Sequence, residues 1–187
     1  MTPDRFFLEN VPEEWNRRPK SDVHFDIAVE VRGEGGAEYR LSVEAGHMTA
    51  HRGASPDPLI RLVLGLQDWQ RLAEQVGPSP MALLGGVSGE SDLTLTPARV
   101  QALRELDGAL LLRVSGDEAW QVLLCFAPGP APETPDTEIS IAAEQYQMIR
   151  NGELDLQGAF MTGKLQLEGN PDPALRLALA LMTPEDA

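Results

Sequence analysis

Three histidines, one cysteine and a short glycine–serine stretch are the residues of this chain whose types could carry chemistry. His47 and His51 stand four positions apart in "HMTAH". On a strand that spacing puts both rings on one face, which would begin a zinc site. Such a site also needs carboxylate, thiolate or further histidine ligands in a recognisable pattern. Only Asp57 follows, and His24 stands apart, so exposed strand-end histidines are expected and no metal. The stretch "GVSGE", Gly86 to Glu90, comes close to the nucleophile elbow of serine hydrolases. Its second glycine falls one place early and no strand–turn–helix frame surrounds it, so a solvated turn is expected. Cys125 lies in the apolar run "WQVLLCFAP", where a buried and inert thiol is expected. The glycines of "GEGG" and "LLGG" form no phosphate fingerprint. The acidic residues are scattered, and no two of them read as a general acid and base. No catalytic residue and no cofactor is therefore assigned.

The charge narrows the partners. The formal net charge is −14, with an isoelectric point near 4.5. That field repels a phosphate backbone and argues against tight docking on anionic lipid, so nucleic acid is not an expected partner. Its simplest role is to keep the chain in solution. The start "MTPDRFFLENVPEEWNRRPK" has no apolar stretch or cleavage site of a secretory signal. No run approaches the roughly 18 apolar residues that a membrane span needs. With one cysteine and no internal disulfide to form, a cytoplasmic location is expected.

The elements that must position any site read as follows. Residues 1–20 are an arm, with Phe6, Phe7, Leu8, Val11 and Trp15 as an apolar stripe on a short helix broken at Pro12, packed on the body. Residues 21–95 form a β-rich unit. In "VHFDIAVEVRG" apolar and other residues alternate, which is a half-buried strand. "GEGG" tolerates positive φ and suits a hairpin turn. "EYRLSVEAG" returns with Tyr39, Leu41 and Val43 inward, and "HMTAHRG" extends it or forms a further strand. "PLIRLVLGL" is another strand, and "QDWQRLAEQV" switches to helical spacing with Trp69, Leu72, Ala73 and Val76 on one face. That helix is expected to start near Gln67 or Asp68. "GPSPMALLGGVSGES" is a loop.

Residues 96–187 form the second unit. Thr96 caps a helix with Pro97 at its first position and Val100, Leu103 and Leu106 inward. "ALLLRVSGDEAWQVLLCF" is a hairpin turning at Gly116 and Asp117, and "TEISIAAEQYQMIRNG" is a strand followed by a helix. "LVLGLQDWQRL" and "ISIAAEQYQMI" share one pattern: an apolar strand, then Trp69 or Tyr146, then an apolar pair. Hairpin, strand and helix thus recur, the mark of an internal duplication. The fold class is α+β, a mainly antiparallel sheet with helices packed on one face.

The stretch "NGELDLQGAFMTGKLQLEGNPDPALRLALAL", Asn151 to Leu181, resembles the sterol carrier protein-2 family. The matching residues are Gly152, Leu154, Ala159, Phe160, Met161, Gly163, Lys164, Leu165, Leu167, Gly169 and Asn170. The resemblance runs from about Pro97 to Met182, and residues 21–95 look like a partial copy lacking the final segment. It implies a five-stranded sheet with helices over one face and, between them, an apolar tunnel for a sterol, fatty acid or acyl chain. It implies a lipid carrier rather than a catalyst, with a dimerising module that keeps the fold and lacks the cavity as the alternative.

The residues agree in outline. Met161 is adaptable enough to wall a variable alkyl guest. Each buried methylene contributes about 0.8 kcal/mol, so a tunnel needs shape and apolar surface rather than titratable groups. Tyr146, Ile149, Leu154, Leu156, Phe160, Met161, Leu165, Leu167, Leu175 and Leu179 are the expected lipid contacts. Packed against one another, the same side chains would make an ordinary solid core. For "PDPALRLALALM" the resemblance implies a helix, whereas the alternation of Leu175, Leu177, Leu179 and Leu181 has the period of a strand.

Overall fold

A computed structural model describes residues 1–17, 22–77 and 94–183, without the side chains of Val76, Leu156 and Gln157. Apart from Gly77, the "GPSPMALLGGVSGES" loop, with "GVSGE" in it, lies outside the described residues. Eight strands form one sheet: β1 (Phe25–Arg32), β2 (Glu38–Glu44), β3 (His47–Arg52), β4 (Ile60–Gly65), β5 (Ala109–Ser115), β6 (Trp120–Cys125), β7 (Thr137–Ala142) and β8 (Leu165–Gly169). Their order is β3-β2-β1-β4-β6-β5-β7-β8. β1–β4 and β5–β7 are parallel, and the other neighbours are antiparallel. The expected "mainly antiparallel" sheet is what forms.

One face of this sheet makes the core. Ile27, Tyr39, Leu41, Met48, Ile60, Leu110, Leu112, Val114, Trp120, Val122, Leu124, Ile139 and Ile141 share it and are buried. The opposite face carries Asp26, Glu30, Arg32, Arg40, Arg61, Arg113 and Glu138, with ion pairs Arg40–Asp26 at 2.7 Å and Arg113–Glu138 at 3.3 Å. This alternation lets an antiparallel sheet face water on one side. His47 and His51 sit on that open face and are exposed. Among the described residues no cluster of ligands could hold a metal ion.

The helices among the described residues cover the apolar face. The N-terminal segment is α1 (Pro3–Arg5), a π-helical turn (Phe6–Asn10) and α2 (Val11–Asn16). The expected break at Pro12 is instead a change of hydrogen-bond step: the Val11 N–H donates to Phe6 O, five residues back, and the proline follows. A π turn keeps the chain helical where proline supplies no donor. Next come α3 (Leu66–Val76), α4 (Pro97–Arg104), α5 (Ala143–Arg150), α6 (Leu156–Met161) and α7 (Asp172–Leu181). α3 begins at Leu66, so Gln67 and Asp68 lie near its start as expected. The Asp68 carboxylate accepts from the Gln121 N–H of β6 at 3.1 Å instead of capping its own helix. Thr96 caps α4 as expected, its hydroxyl accepting from Arg99 N–H at 3.3 Å.

The two halves place equivalent parts in equivalent positions. β1 has β2 on one side, antiparallel, and β4 on the other, parallel; β5 stands in the same way between β6 and β7. Both parallel pairings run over six residues, and α3 and α5 start at the next residue after β4 and β7. Gly33 and Gly116, both at positive φ, open the two hairpin turns. A Cβ on Gly33 would meet Leu66 at 3.7 Å, and one on Gly116 would meet Ala143 at 3.6 Å, the first residues of α3 and α5. The five strands implied for the C-terminal half are reached with a borrowed one. Residues 109–169 give β5 to β8, and β4 of the other half completes the run β4-β6-β5-β7-β8.

Candidate functional site

Helix α7 decides which leucines face inward. Its alternating leucines are two residues apart, and two residues on a helix turn about 200°. Leu177 and Leu181 therefore share one side, and Leu175 and Leu179 the opposite one. The first pair is fully buried with Ala174 and Ala180, whereas Leu175 and Leu179 are 58% and 69% exposed. Arg176 donates to the Asp107 carboxylate at 2.8 Å, and Arg99 of α4 donates to Thr183 O at 3.1 Å, holding the middle and the C-terminal end of α7.

Helix α6 is short and tightly ended. Asp155 caps it, accepting from Gly158 N–H at 2.6 Å. Gly163, at φ 69°, closes it: its N–H reaches Phe160 O at 3.1 Å, and Lys164 N–H reaches Ala159 O at 2.8 Å. This paired closure requires a left-handed residue, which explains the glycine of "MTGKL". Ala159 is the inward residue of α6, while Phe160 and Met161 are 58% and 76% exposed.

The ten expected contacts thus divide. Tyr146, Ile149 and Leu165 are buried in one cluster, with Leu154 and Leu167 packed against it. Phe160, Met161, Leu175 and Leu179 point outward. The side chain of Leu156 lies outside what the structure describes. Sequence reasoning missed Trp120, Ala159, Leu177 and Leu181. For the last two a signal existed: Pro173, Ala174, Leu177, Ala180 and Leu181 follow helical spacing, and Asp172 and Arg176 mark the other side.

Tyr146 stands out within the buried group. It is 4% exposed, its ring meets Trp120 edge-on at 5.2 Å, and among the described residues its hydroxyl has no hydrogen-bond partner. Burial pushes that hydroxyl up to about 12, so it stays protonated. The neighbours are satisfied: Trp120 Nε1 donates to Gln75 Oε1 at 2.8 Å, Gln75 Nε2 donates to Glu118 O at 3.2 Å, and Arg150 donates to Gln75 O. An unpaired buried hydroxyl costs about 1–3 kcal/mol, so a lone one among satisfied neighbours asks for a reason. Cys125 is buried on the other face of the sheet, where burial raises its thiol and disfavours a thiolate nucleophile.

No helix among the described residues is long and apolar enough to cross a membrane. No curated protein matches the sequence. Several solved sterol carrier structures are similar over part of the chain. A crystal structure of sterol carrier protein 2 like 2 from Aedes aegypti is 19% identical, covering 60% of this chain and 94% of that one, with a TM-score of 0.37. The solution structure of the palmitated protein from the same mosquito is also 19% identical, over 61% and 94%, with a TM-score of 0.37. The apo sterol carrier protein 2 of Yarrowia lipolytica is 15% identical over 53% and 86%, with a TM-score of 0.34. The SCP-2 sterol transfer family matches residues 93–182, the half in which the sequence resemblance lies. That segment of the chain, which contributes α4 to α7 and β5 to β8, is similar to the SCP-2 sterol transfer family.

Proposed function

We propose that the C-terminal half is a non-catalytic lipid carrier. It holds a sterol, fatty acid or acyl chain between the sheet and helices α5 to α7. The observation that carries this reading is the Tyr146 hydroxyl, buried and unpartnered among Ile149, Leu165 and Trp120. A guest with one polar end and an apolar body meets both needs. Tyrosine both donates and accepts, so a carboxyl, a hydroxyl or an ester oxygen can face it. The family match supports the guest class. The guest's apolar body lies against Tyr146, Ile149, Leu154, Leu165 and Leu167, and Leu177 and Leu181 close the roof.

The test is native mass spectrometry of the chain purified from cells, followed by displacement of a fluorescent fatty acid from the delipidated protein. Co-purified lipid and saturable one-to-one displacement are expected. A lipid-free chain that never binds the probe would leave the reading without support.

A second reading has its own observation. Phe160, Met161, Leu175, Leu179 and Met182 are large, apolar and exposed, and all fall within one segment. Such a surface suits contact with a second copy of this chain. Sedimentation at rising concentration checks it: a dimer that Leu175→Asp with Leu179→Asp abolishes would favour it, and a monomer throughout would remove it.

A further inference from the structure

We propose that the N-terminal half holds a second guest site, centred on Trp69 and closed by the chain's own Phe6 and Phe7. The proposal takes its guest class from the reading above, and its site from different residues. Trp69 is the fourth residue of α3 and Tyr146 the fourth of α5, each following a strand parallel to the first strand of its half. Trp69 is 2% exposed, and its Nε1, like the Tyr146 hydroxyl, has no hydrogen-bond partner among the described residues. The same unmet need therefore recurs at the same place in both halves. An indole N–H only donates, so this site takes an acceptor, such as the carbonyl, carboxyl or ether oxygen of an apolar molecule.

The cover over Trp69 is built as a lid. Phe6 lies 5.8 Å from the indole at 75°, and Phe7 lies 6.4 Å from it at 44° and 4.8 Å from Tyr39. Both phenylalanines belong to the π-helical turn, a step that regular helices avoid and functional segments use. Beyond the turn the segment is anchored: Asn16 exchanges two 2.9 Å bonds with the Met48 backbone of β3, and Trp15 Nε1 donates to Gly46 O at 3.0 Å. Before the turn it is latched at the surface, where the Asp4 carboxylate accepts from Arg52 Nε at 2.9 Å and from the Tyr39 hydroxyl at 2.8 Å. Fixed end, deformable middle and surface latch allow residues 3–10 to lift while 11–16 stay. The phenyl rings then vacate apolar volume beside the indole.

The experiment titrates cis-parinaric acid into the delipidated full chain and counts bound probe by native mass spectrometry. The wild type is expected to hold one probe, at the Tyr146 site. Phe6→Ala with Phe7→Ala is expected to hold two, and adding Trp69→Phe weakens only the second, by about two- to tenfold for one lost hydrogen bond. A folded double variant that still holds one probe overturns the proposal, as does a second probe indifferent to Trp69→Phe. Should the double variant not fold, Asp4→Ala opens the surface latch alone. It is expected to admit the second probe at lower concentration than the wild type, and unchanged occupancy overturns the proposal. If the wild type holds none and the double variant holds one that Trp69→Phe weakens, the C-terminal carrier reading fails and the N-terminal site stands.

Discussion

Replacing Tyr146 by phenylalanine deletes one oxygen from the interior and little else. In the empty protein that oxygen has no partner, so its removal relieves a desolvation cost of about 1–3 kcal/mol and leaves only a small void. We expect the delipidated variant to be more stable by about 1 kcal/mol, which in a chain of this size raises Tm by about 2–4 °C. Guest affinity should move the other way, falling about fivefold for one lost hydrogen bond. An alkaline scan adds an independent reading. Burial holds the Tyr146 hydroxyl at about 12, against 10.0 for an ordinary tyrosine. Between those values the unfolded chain has released the proton and the native chain has kept it. The contribution is therefore whole below pH 10 and lost as pH rises toward 12, at about 1.4 kcal/mol per pH unit. Tyr39, also held at about 12 by burial and by Asp4, remains in both proteins, so the difference in slope isolates Tyr146. Urea unfolding at pH 7 and across pH 9–12, with fatty-acid displacement alongside, measures all three. A variant less stable by 1 kcal/mol would mean that the hydroxyl is partnered. Unchanged displacement would mean that no guest faces it.

Three further outcomes follow from packing and backbone geometry. Leu177→Ala should cost about 2–5 kcal/mol in denaturant unfolding, and Leu175→Ala less than about 0.5 kcal/mol, since only the former lies inside; equal costs would refute the assignment of the two faces of α7. Ala45 sits at φ 48° in the two-residue turn joining β2 and β3, where glycine is at ease, so Ala45→Gly should stabilise by about 1 kcal/mol, read as a small rise in Tm. Gly169 ends β8 at φ 83°, and a Cβ there would lie 2.4 Å from Asp136 O. Gly169→Ala should therefore lower stability by about 2–3 kcal/mol, measured by thermal unfolding of the otherwise unchanged chain.

Much of the fold was legible because its signals are local. Period-two alternation marks β1, β2 and β8, and Gly33 and Gly116 mark the two turns. Thr96 followed by Pro97 marks the start of α4. Where the sequence was ambiguous, the reason is geometric. Leucines at every second position are apolar on one face of a strand and on two opposite faces of a helix, so α7 could not be oriented from those four residues alone. Two of the ten expected contacts inherited that ambiguity, Leu175 and Leu179, and both lie outside. Phe160 and Met161 lie outside as well, because in the short α6 it is the small Ala159 that faces inward. The start of α3 near Gln67 and Asp68 was legible as well, although the Asp68 carboxylate serves a strand distant in sequence rather than its own helix end. The unpaired Tyr146 hydroxyl and Trp69 Nε1 have no sequence signature, because a missing partner is a property of the packed interior.

The family segment is less self-contained than its boundaries suggest. β4 and β6 meet over three residue pairs, half the length of the parallel pairing within either half. What reinforces that short seam is α3. Arg71 donates to Ala119 O, Gln75 donates to Glu118 O and accepts from Trp120 Nε1, and Arg150 of α5 donates to Gln75 O. Trp120 is the ring against which Tyr146 rests. The position of the candidate polar handle is thus set by Gln75, which lies outside residues 93–182. The N-terminal half therefore acts on the C-terminal site in two ways: β4 completes its sheet, and the last turn of α3 holds its aromatic wall in register. A guest beside Tyr146, as proposed, would press on Trp120, and through it on the helix that also carries Trp69. The two proposed sites share one mechanical element, and α3 is where occupancy of one would be felt at the other.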